Sequence, residues 1–221
     1  MGWPELAPWW LDEIRTDPAY VDVVDPLLTT LLHPGPGRYL DLGCGEGRLM
    51  RVVSAYGATV HGVDLVESLA ALTPGPSVVA RLPELPIRSG TYDGAYSVLT
   101  LEHVPDHRKF FAEAARVVKT SGVLAVVVNH PVWTAPDATP ISDQYGEVLW
   151  RPGEYFSEGV TEMPAGDSTV VFHHRSMSAL LNSAADAGWS MEAMVEQPHH
   201  ELTDQSGIPR LLGCRWRRVG W

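Results

Sequence analysis

A cluster of glycines is the part of the chain whose residue types most clearly suggest chemistry. The segment Asp41–Gly47 reads Asp-Leu-Gly-Cys-Gly-Glu-Gly and lies between a short β-like run and a helical stretch. Glycines at such a point let a ligand approach the backbone closely, and the N–H groups at the start of the following helix point towards that ligand. The segment therefore predicts a ligand-binding loop.

Two kinds of ligand compete for this loop. A dinucleotide fingerprint, Gly-x-Gly-x-x-Gly/Ala, requires Gly or Ala at the position of Arg48, and the third glycine, Gly47, comes one residue early. Asp41 stands two residues before the first glycine, and a carboxylate there favours a ligand with an ammonium group over a pyrophosphate. The pattern therefore disfavours a nicotinamide dehydrogenase.

A second carboxylate, Asp64, ends the next predicted strand, seventeen residues after Gly47. A carboxylate at this point can accept hydrogen bonds from both hydroxyls of a ribose. A nucleoside joined to an amino acid through a positive centre matches both acids, and S-adenosylmethionine has this chemistry. Taken singly, Asp41 is equally well a turn carboxylate and Asp64 a strand-end cap, but the spacing of the pair favours the cofactor.

Histidines supply the candidates for a general base, because imidazole titrates near neutral pH. His130 follows the fifth predicted strand, at the edge where open α/β sheets build their active sites, and His173 and His174 precede a late helix. We predict these three as catalytic candidates, with polar lining or packing as the alternative. In an extended segment His173 and His174 point to opposite faces, so at most one faces the pocket. His103 is interpreted as a helix-start or packing residue.

The elements that must position these residues alternate between strand and helix. Apolar strands are predicted at 38–42, 59–64, 92–99 and 122–129, and helices at 107–119 and 176–187. Near-continuous apolar strands separated by helices indicate a parallel sheet covered on both faces. The fold class is therefore α/β and doubly wound, and the run after Pro209 predicts a further strand.

Two segments break this alternation. Residues 1–36 combine tryptophans and prolines with a helical run and are predicted as an N-terminal helical cap. Residues 131–172 contain five prolines, scattered aromatics and no clear periodicity, and are predicted as a substrate-covering insertion. The aromatic side chains of both segments indicate either a cap for an aromatic or apolar substrate or simple core packing. Since we find no repeat or linker, residues 1–221 are predicted as a single domain.

Composition narrows the function classes. The chain is 45% hydrophobic and 19% charged, and 16 Lys+Arg against 27 Asp+Glu give a net charge of -11, which disfavours a nucleic-acid partner. Two cysteines, Cys44 and Cys214, exclude a disulfide framework, and no Cys/His spacing predicts a metal site. No apolar run predicts a membrane span or a leader, so a cytoplasmic location is expected. Four late arginines are interpreted as a solvated strand face: Arg210, Arg215, Arg217 and Arg218.

The chain resembles the class I S-adenosylmethionine-dependent methyltransferases of the bacterial small-molecule type, close to methyltransferase type 11. The matching segments are 41–47, 62–64, 85–87 with 92–93, 101–106 and 116–122. The resemblance extends over residues 38–130. It implies a Rossmann-like, seven-stranded, mostly parallel sheet with a late antiparallel hairpin and helices on both faces.

The resemblance also implies the cofactor contacts. The loop would face the methionine part of S-adenosylmethionine through Asp41, Gly43, Cys44, Gly45 and Gly47, and Asp64 would bind the ribose. The adenine would lie among Leu65, Leu82 and Leu99, and Ser97 would lie near the methionine amine. The family usually carries an acid for the adenine amino group where this chain has Arg81, which leaves the backbone or Glu84 as the acceptor.

These features predict an enzyme that transfers a methyl group from S-adenosylmethionine to a small-molecule acceptor by in-line displacement. Alignment of the acceptor with the methyl group, with exclusion of water, is the main requirement for this reaction. Two alternatives stay open: a non-catalytic S-adenosylmethionine-binding or interaction domain, and a protein methyltransferase.

Overall fold

A computed structural model describes residues 2–198 and 207–220. Its strands are β1 Gly37–Leu42, β2 Ala58–Asp64, β3 Ser77–Val79, β4 Tyr92–Val98, β5 Val118–Asn129, β6 Thr139–Ser142, β7 Val148–Arg151, β8 Gly159–Ala165, β9 Ser168–His174, β10 Trp189–Pro198 and β11 Pro209–Arg218. Its helices are α1 Trp3–Thr16, α2 Asp25–Leu32, α3 Arg48–Ser54, α4 Glu67–Ala70, α5 His107–Val117, α6 Pro131–Thr134 and α7 Met177–Asp186. A π-helical turn covers Tyr20–Val24, and a 3₁₀ turn covers Leu101–His103.

One sheet of seven strands organises the described residues, in the order β3-β2-β1-β4-β5-β11-β10. The first five strands of that order are parallel, whereas β11 is antiparallel to both β5 and β10. This arrangement confirms the predicted doubly wound, Rossmann-like α/β class with its late antiparallel hairpin.

Helices cover both faces of the sheet, because alternate residues of the central strand β5 belong to different cores. Val123 and Val127 pack with Leu28 of α2, while Leu124 packs with Phe111 of α5 on the other face. The helix α2 approaches β11 closely at Gly213, where a Cβ atom would lie 2.6 Å from a methyl carbon of Leu31. Both faces are therefore buried, which explains why the strands are apolar at nearly every position.

The segment 131–172 differs from its predicted lack of periodicity. It forms the short helix α6 and an antiparallel hairpin, β6–β7, and most of a second hairpin, β8–β9, which ends at His174. The turn of the second hairpin contains Gly166 at φ 58°, a conformation that favours glycine. Strand β9 does alternate between buried and exposed side chains, but prolines and exposed aromatics elsewhere in the segment obscured that period.

The carboxyl ends of the parallel strands meet at one edge of the sheet, which we call the carboxyl edge. Helix α1 packs against the hairpin β8–β9, because Leu6 forms a small core with Val170 and Phe172. The N-terminal helix α1 and the hairpin β8–β9 are thus packed against each other. Of the helices in residues 2–198 and 207–220, none is long and apolar enough to cross a membrane.

Candidate active site at the carboxyl edge of the sheet

The glycine loop between β1 and α3 has three glycines with positive φ. Gly43, Gly45 and Gly47 have φ values of 86°, 52° and 82°, which side chains with a Cβ rarely adopt. A Cβ on Gly43 would lie 2.3 Å from the Thr100 side chain, and one on Gly47 would lie 2.4 Å from Pro74. Two of the glycines are therefore required by close packing. Gly45 has only the Trp10 indole nitrogen near its Cβ position, at 3.3 Å.

Asp64, at the end of β2, holds this loop in place. Its Oδ2 accepts a hydrogen bond from the Gly45 N–H at 2.8 Å, and its Oδ1 accepts one from the Val66 N–H at 2.8 Å. Burial raises the pKa of the Asp64 carboxyl. Each carboxylate oxygen has a second lone pair, so Asp64 can bind the loop and still accept from ligand hydroxyls.

A cleft of about 130 Å³, the glycine-loop cleft, lies beside this loop. Seven of the predicted cofactor residues line it: Gly43, Cys44, Gly45, Asp64, Leu65, Leu82 and Leu99. Three others, Asp41, Gly47 and Ser97, do not line it. Gly47 acts instead through its packing against Pro74.

Asp41 and Ser97 lie beneath the surface of the cleft. The Ser97 hydroxyl donates to the Leu42 carbonyl at 3.1 Å. Asp41 is only 2% exposed, and its Oδ2 has no hydrogen-bond partner among the described residues. Burial raises the pKa of Asp41 well above its ordinary value. An unpaired buried carboxylate oxygen is costly in isolation, so it suits a place where a cationic ligand group comes near.

The structure does not bring the predicted substitute Glu84 to the cleft. Arg81 lines it with an exposed side chain, together with Ala80 and Leu82, but Glu84 does not. The adenine acceptor is therefore left to a backbone group if a purine binds beside Leu82.

A second cavity of about 340 Å³ adjoins the first, and we call it the α1 cavity because α1 contributes much of its wall. The side chains that it shares with the glycine-loop cleft are Trp3, Trp10, Tyr20, Leu99 and His103. The two spaces therefore meet at the carboxyl edge.

His103 is one of two titratable side chains at this meeting point, the other being Tyr20. Its Nδ1 lies 2.7 Å from the Val171 carbonyl of β9, and a carbonyl can only accept, so Nδ1 carries the proton of the neutral ring. The rings of Trp3 and Phe172 lie 4.9 and 4.8 Å away between centroids and hold the imidazole in place. Nε2 is left with a free lone pair, as a general base requires. The sequence interpretation favoured a packing role for His103, and the structure in addition places this side chain where the two cavities meet.

Comparison with known proteins indicates the family. Residues 40–126 match the family model described as "Methyltransferase domain", a range that includes the glycine loop, Asp64 and His103. An S-adenosylmethionine dependent methyltransferase from Mesorhizobium loti superposes with a TM-score of 0.80 at 26% identity, over 92% of this chain and 99% of that one. The family match and this structural likeness support the class I S-adenosylmethionine-dependent methyltransferases as the family that the chain resembles. This confirms the predicted resemblance.

Curated relatives of this methyltransferase align over a part of their length. A 2-methyl-6-phytyl-1,4-hydroquinone methyltransferase from Synechocystis is 31% identical over 58% of this chain and 46% of its own. A ubiquinone biosynthesis O-methyltransferase from Thiobacillus denitrificans is 37% identical over 38% of this chain and 41% of its own. The chain thus spans about half the length of the curated relatives it matches.

The structure places His130, a predicted catalytic candidate, away from both cavities. His130 is 2% exposed and lines neither cavity. Its Nδ1 accepts from the Val132 N–H at 3.1 Å, so Nε2 carries the proton and donates to Glu196 at 2.9 Å. Both nitrogens are thereby occupied at the start of α6, and His130 has a structural role.

The pair His173 and His174 also requires correction. They do point to opposite faces of β9, but neither lines the glycine-loop cleft or the α1 cavity. His174 is buried, donates from Nε2 to the Tyr155 carbonyl at 2.8 Å and accepts at Nδ1 from the Thr134 hydroxyl at 3.0 Å. Their strand contributes to the site instead through the Val171 carbonyl.

Of the two groups of aromatic side chains considered as a substrate cap, only the group from the N-terminal segment lines the cavities. Trp3, Trp9, Trp10 and Tyr20 of the N-terminal segment line one or both cavities. The aromatics quoted from the insertion line neither: Trp133, Tyr145, Trp150, Tyr155 and Phe156. Tyr145 and Phe156 are 85% and 90% exposed. The hairpin β8–β9 reaches the cavity with Met163, Pro164, Val170 and Phe172 instead.

The arginines of β11 do not form one solvated face. Arg215 and Arg217 pair with Glu192, and Arg218 donates to the Val118 carbonyl. Arg210 differs, because its side chain lines the α1 cavity. The prediction of a solvated face is therefore wrong for Arg210.

Proposed function

We propose that this enzyme transfers a methyl group from S-adenosylmethionine, bound in the glycine-loop cleft, to a small-molecule acceptor bound in the α1 cavity. The observation that carries the proposal is the junction of the two cavities at Leu99 and His103. A cofactor and an acceptor in adjoining spaces meet only there, as a direct transfer requires.

The residues of the cleft fit this cofactor. Asp64 retains acceptor capacity for two ribose hydroxyls, and Leu65, Leu82 and Leu99 provide apolar walls for a purine. The buried Oδ2 of Asp41, which has no partner within the described chain, suits an ammonium group. We assign Gly43, Cys44 and Gly45, which also line the cleft, to the methionine part of the cofactor.

His103 would act as the general base. When bound, S-adenosylmethionine supplies an electrophilic methyl group on a sulfonium. The Val171 carbonyl keeps the proton on Nδ1, so Nε2 can take the proton from an acceptor hydroxyl or ammonium group. The rings of Trp3 and Phe172 pack against this imidazole and fix its orientation.

We assign the acceptor to hydroxylated aromatic compounds. The α1 cavity is lined mainly by aromatic and aliphatic side chains, among them Trp9, Val170 and Phe172, which suit a flat apolar molecule. Two curated relatives carry the names of a hydroquinone methyltransferase and an O-methyltransferase of ubiquinone biosynthesis. In this proposal, residues 1–36 and the hairpin β8–β9 of the insertion cover the acceptor.

We propose a cytoplasmic enzyme, because Cys44 and Cys214 are free and buried, as a reducing compartment allows. The acidic net charge of -11 favours a small molecule over a nucleic acid. A large protein substrate is disfavoured, since α1 and the hairpin β8–β9 enclose the acceptor side.

Isothermal titration tests the cofactor. We expect S-adenosylmethionine and S-adenosylhomocysteine to bind at micromolar concentration with one site per chain, and NAD not to bind. Absence of binding of either sulfur nucleoside at millimolar concentration would overturn the proposal. Binding without methylation of any member of a panel of phenols and hydroquinones would favour the non-catalytic alternative.

A further inference from the structure

Arg210 is a partly buried cation in the wall of the α1 cavity. Its Nη1 donates to the Asn129 side-chain carbonyl, and its guanidinium carbon lies 4.9 Å from the ring centroid of Trp133. Within residues 2–198 and 207–220 no carboxylate lies within ion-pair distance of it. Burial lowers its pKa. A charge withdrawn from water is normally paired, and among the residues that the structure describes this partly buried guanidinium has no anionic partner.

The nearby acid Glu102 does not supply that partner. Asn129 lies between the two groups, because its Nδ2 donates to Glu102 Oε1 at 2.8 Å while its Oδ1 accepts from Arg210. Asn129 thereby orients the guanidinium of Arg210 and bonds to only one of the guanidinium nitrogens, Nη1. The donors on Nε and Nη2 have no hydrogen-bond partner in the described part of the chain.

The other arginines of β11 show that this situation is particular to Arg210. Arg215 donates to Glu192 and to the carbonyls of Leu31 and Leu32, and Arg217 also pairs with Glu192. Both therefore have acceptors within the protein. On the same strand, Arg210 alone of these three presents its guanidinium to a cavity.

The rest of the cavity wall limits where an anionic ligand group can lie. Trp9, Val170 and Phe172 are apolar or aromatic, and Glu13 and Asp17 line the cavity from the N-terminal segment. Those two carboxylates disfavour an anionic group on their own side of the cavity, which leaves the side of Arg210 for it. A ligand can therefore place one anionic group beside Arg210 and an apolar or aromatic body against the remaining wall.

We infer that Arg210, oriented by Asn129, is a carboxylate-binding subsite of the acceptor cavity, so that the acceptor is an aromatic acid. The planar guanidinium offers two parallel N–H donors, which match the two oxygens of a carboxylate. The inference rests on the proposed function, since it takes the α1 cavity as the acceptor site.

The test compares two probes of nearly equal shape, 4-hydroxybenzoate and 4-hydroxybenzamide, by calorimetry with the enzyme saturated with S-adenosylhomocysteine. We expect the acid to bind the wild type at least about tenfold more tightly than the amide, because charge-assisted hydrogen bonds exceed neutral ones. In Arg210→Gln the acid should bind no better than the amide, and Arg210→Lys should retain part of the preference. Arg88→Gln, which removes an exposed arginine, should keep the wild-type preference.

The result that would overturn the subsite is equal affinity for acid and amide in the wild type, or an unchanged preference in Arg210→Gln. Failure of both probes to bind would also overturn it. Titration of S-adenosylhomocysteine into each variant checks folding and separates the two proposals. If the nucleoside does not bind the wild type, the proposed function fails; if it binds and the preference is absent, only the subsite fails.

Discussion

The glycine-loop cleft and the α1 cavity are neighbours, yet they are built in different ways. The cleft uses backbone conformation and short side chains at the ends of adjacent strands, such as Gly45 and Asp64, which a single hydrogen bond of 2.8 Å joins. The α1 cavity brings together side chains from distant segments, such as Trp9, His103 and Arg210. A site built from the backbone, such as the cleft, needs particular residue types at fixed spacing in the sequence. A site built from side chains of distant segments, such as the α1 cavity, needs only that the packed elements bring those side chains together.

The largest effect that separates the two regions should come from the base. His103→Gln removes the Nε2 lone pair at the junction, so we expect kcat to fall by about 10²–10⁴-fold. The affinity for S-adenosylhomocysteine, measured by calorimetry, should change far less. His173→Gln is the matched control, because His173 lies on β9 but lines neither cavity, and its kcat should stay within about threefold. Equal losses in both variants would place the chemistry elsewhere.

The next largest effect concerns the cleft alone. Asp64→Ala removes the acceptor of the Gly45 and Val66 N–H groups and the proposed ribose contact. We expect calorimetry to show a loss of about 10–100-fold in S-adenosylhomocysteine affinity, since hydrogen bonds to charged groups are each worth about 1.5–3 kcal/mol. Asp186→Ala, on the exposed side of α7, should bind like the wild type. Unchanged affinity in Asp64→Ala would mean that the ribose lies elsewhere.

A smaller effect should distinguish two adjacent tryptophans of α1. Trp10 lines both cavities and lies near Gly45, whereas Trp9 lines only the α1 cavity. Trp10→Ala should weaken S-adenosylhomocysteine binding by about fivefold, through loss of about 1 kcal/mol of aromatic contact. Trp9→Ala should leave that affinity within about twofold. The reverse order in a calorimetric series would refute the division between the two spaces.

The smallest effect concerns the stability of the cleft. Burial raises the pKa of Asp41 in the folded chain above its unfolded value, so the wild type loses stability as pH rises through that interval. Asp41→Asn has no such proton to lose. The difference in free energy of unfolding between Asp41→Asn and the wild type should therefore be larger at pH 8 than at pH 5. Denaturant titrations that give the same difference at both pH values would contradict this.

The regularity of the two regions also decides what could be predicted from sequence. The central strands, the glycine loop and Asp64 depend on neighbours in sequence, so the alternation of strand and helix could be predicted from local pattern. Seven of the residues predicted to contact the cofactor line the cleft. The edge strand β3 is only three residues long and exposed, and it was not predicted. For the predicted strands and the glycine loop, the residues that determine the structure lie within a few positions of one another.

The acceptor side could not be predicted in the same way, because its residues become neighbours only through tertiary packing. His103 gains its tautomer from Val171, which is sixty-eight residues away. Arg210 gains its cavity from β11 lying beside β5. His130 was favoured for its place at a strand end, but its bond to Glu196, sixty-six residues away, is a contact that no local pattern contains.

The most direct test of the central claim is a crystal structure of the enzyme with S-adenosylhomocysteine. We predict that the nucleoside lies in the glycine-loop cleft, with its ribose hydroxyls on Asp64 and its sulfur towards His103 and the α1 cavity. Density for the nucleoside outside this cleft, or a sulfur turned away from His103, would contradict it.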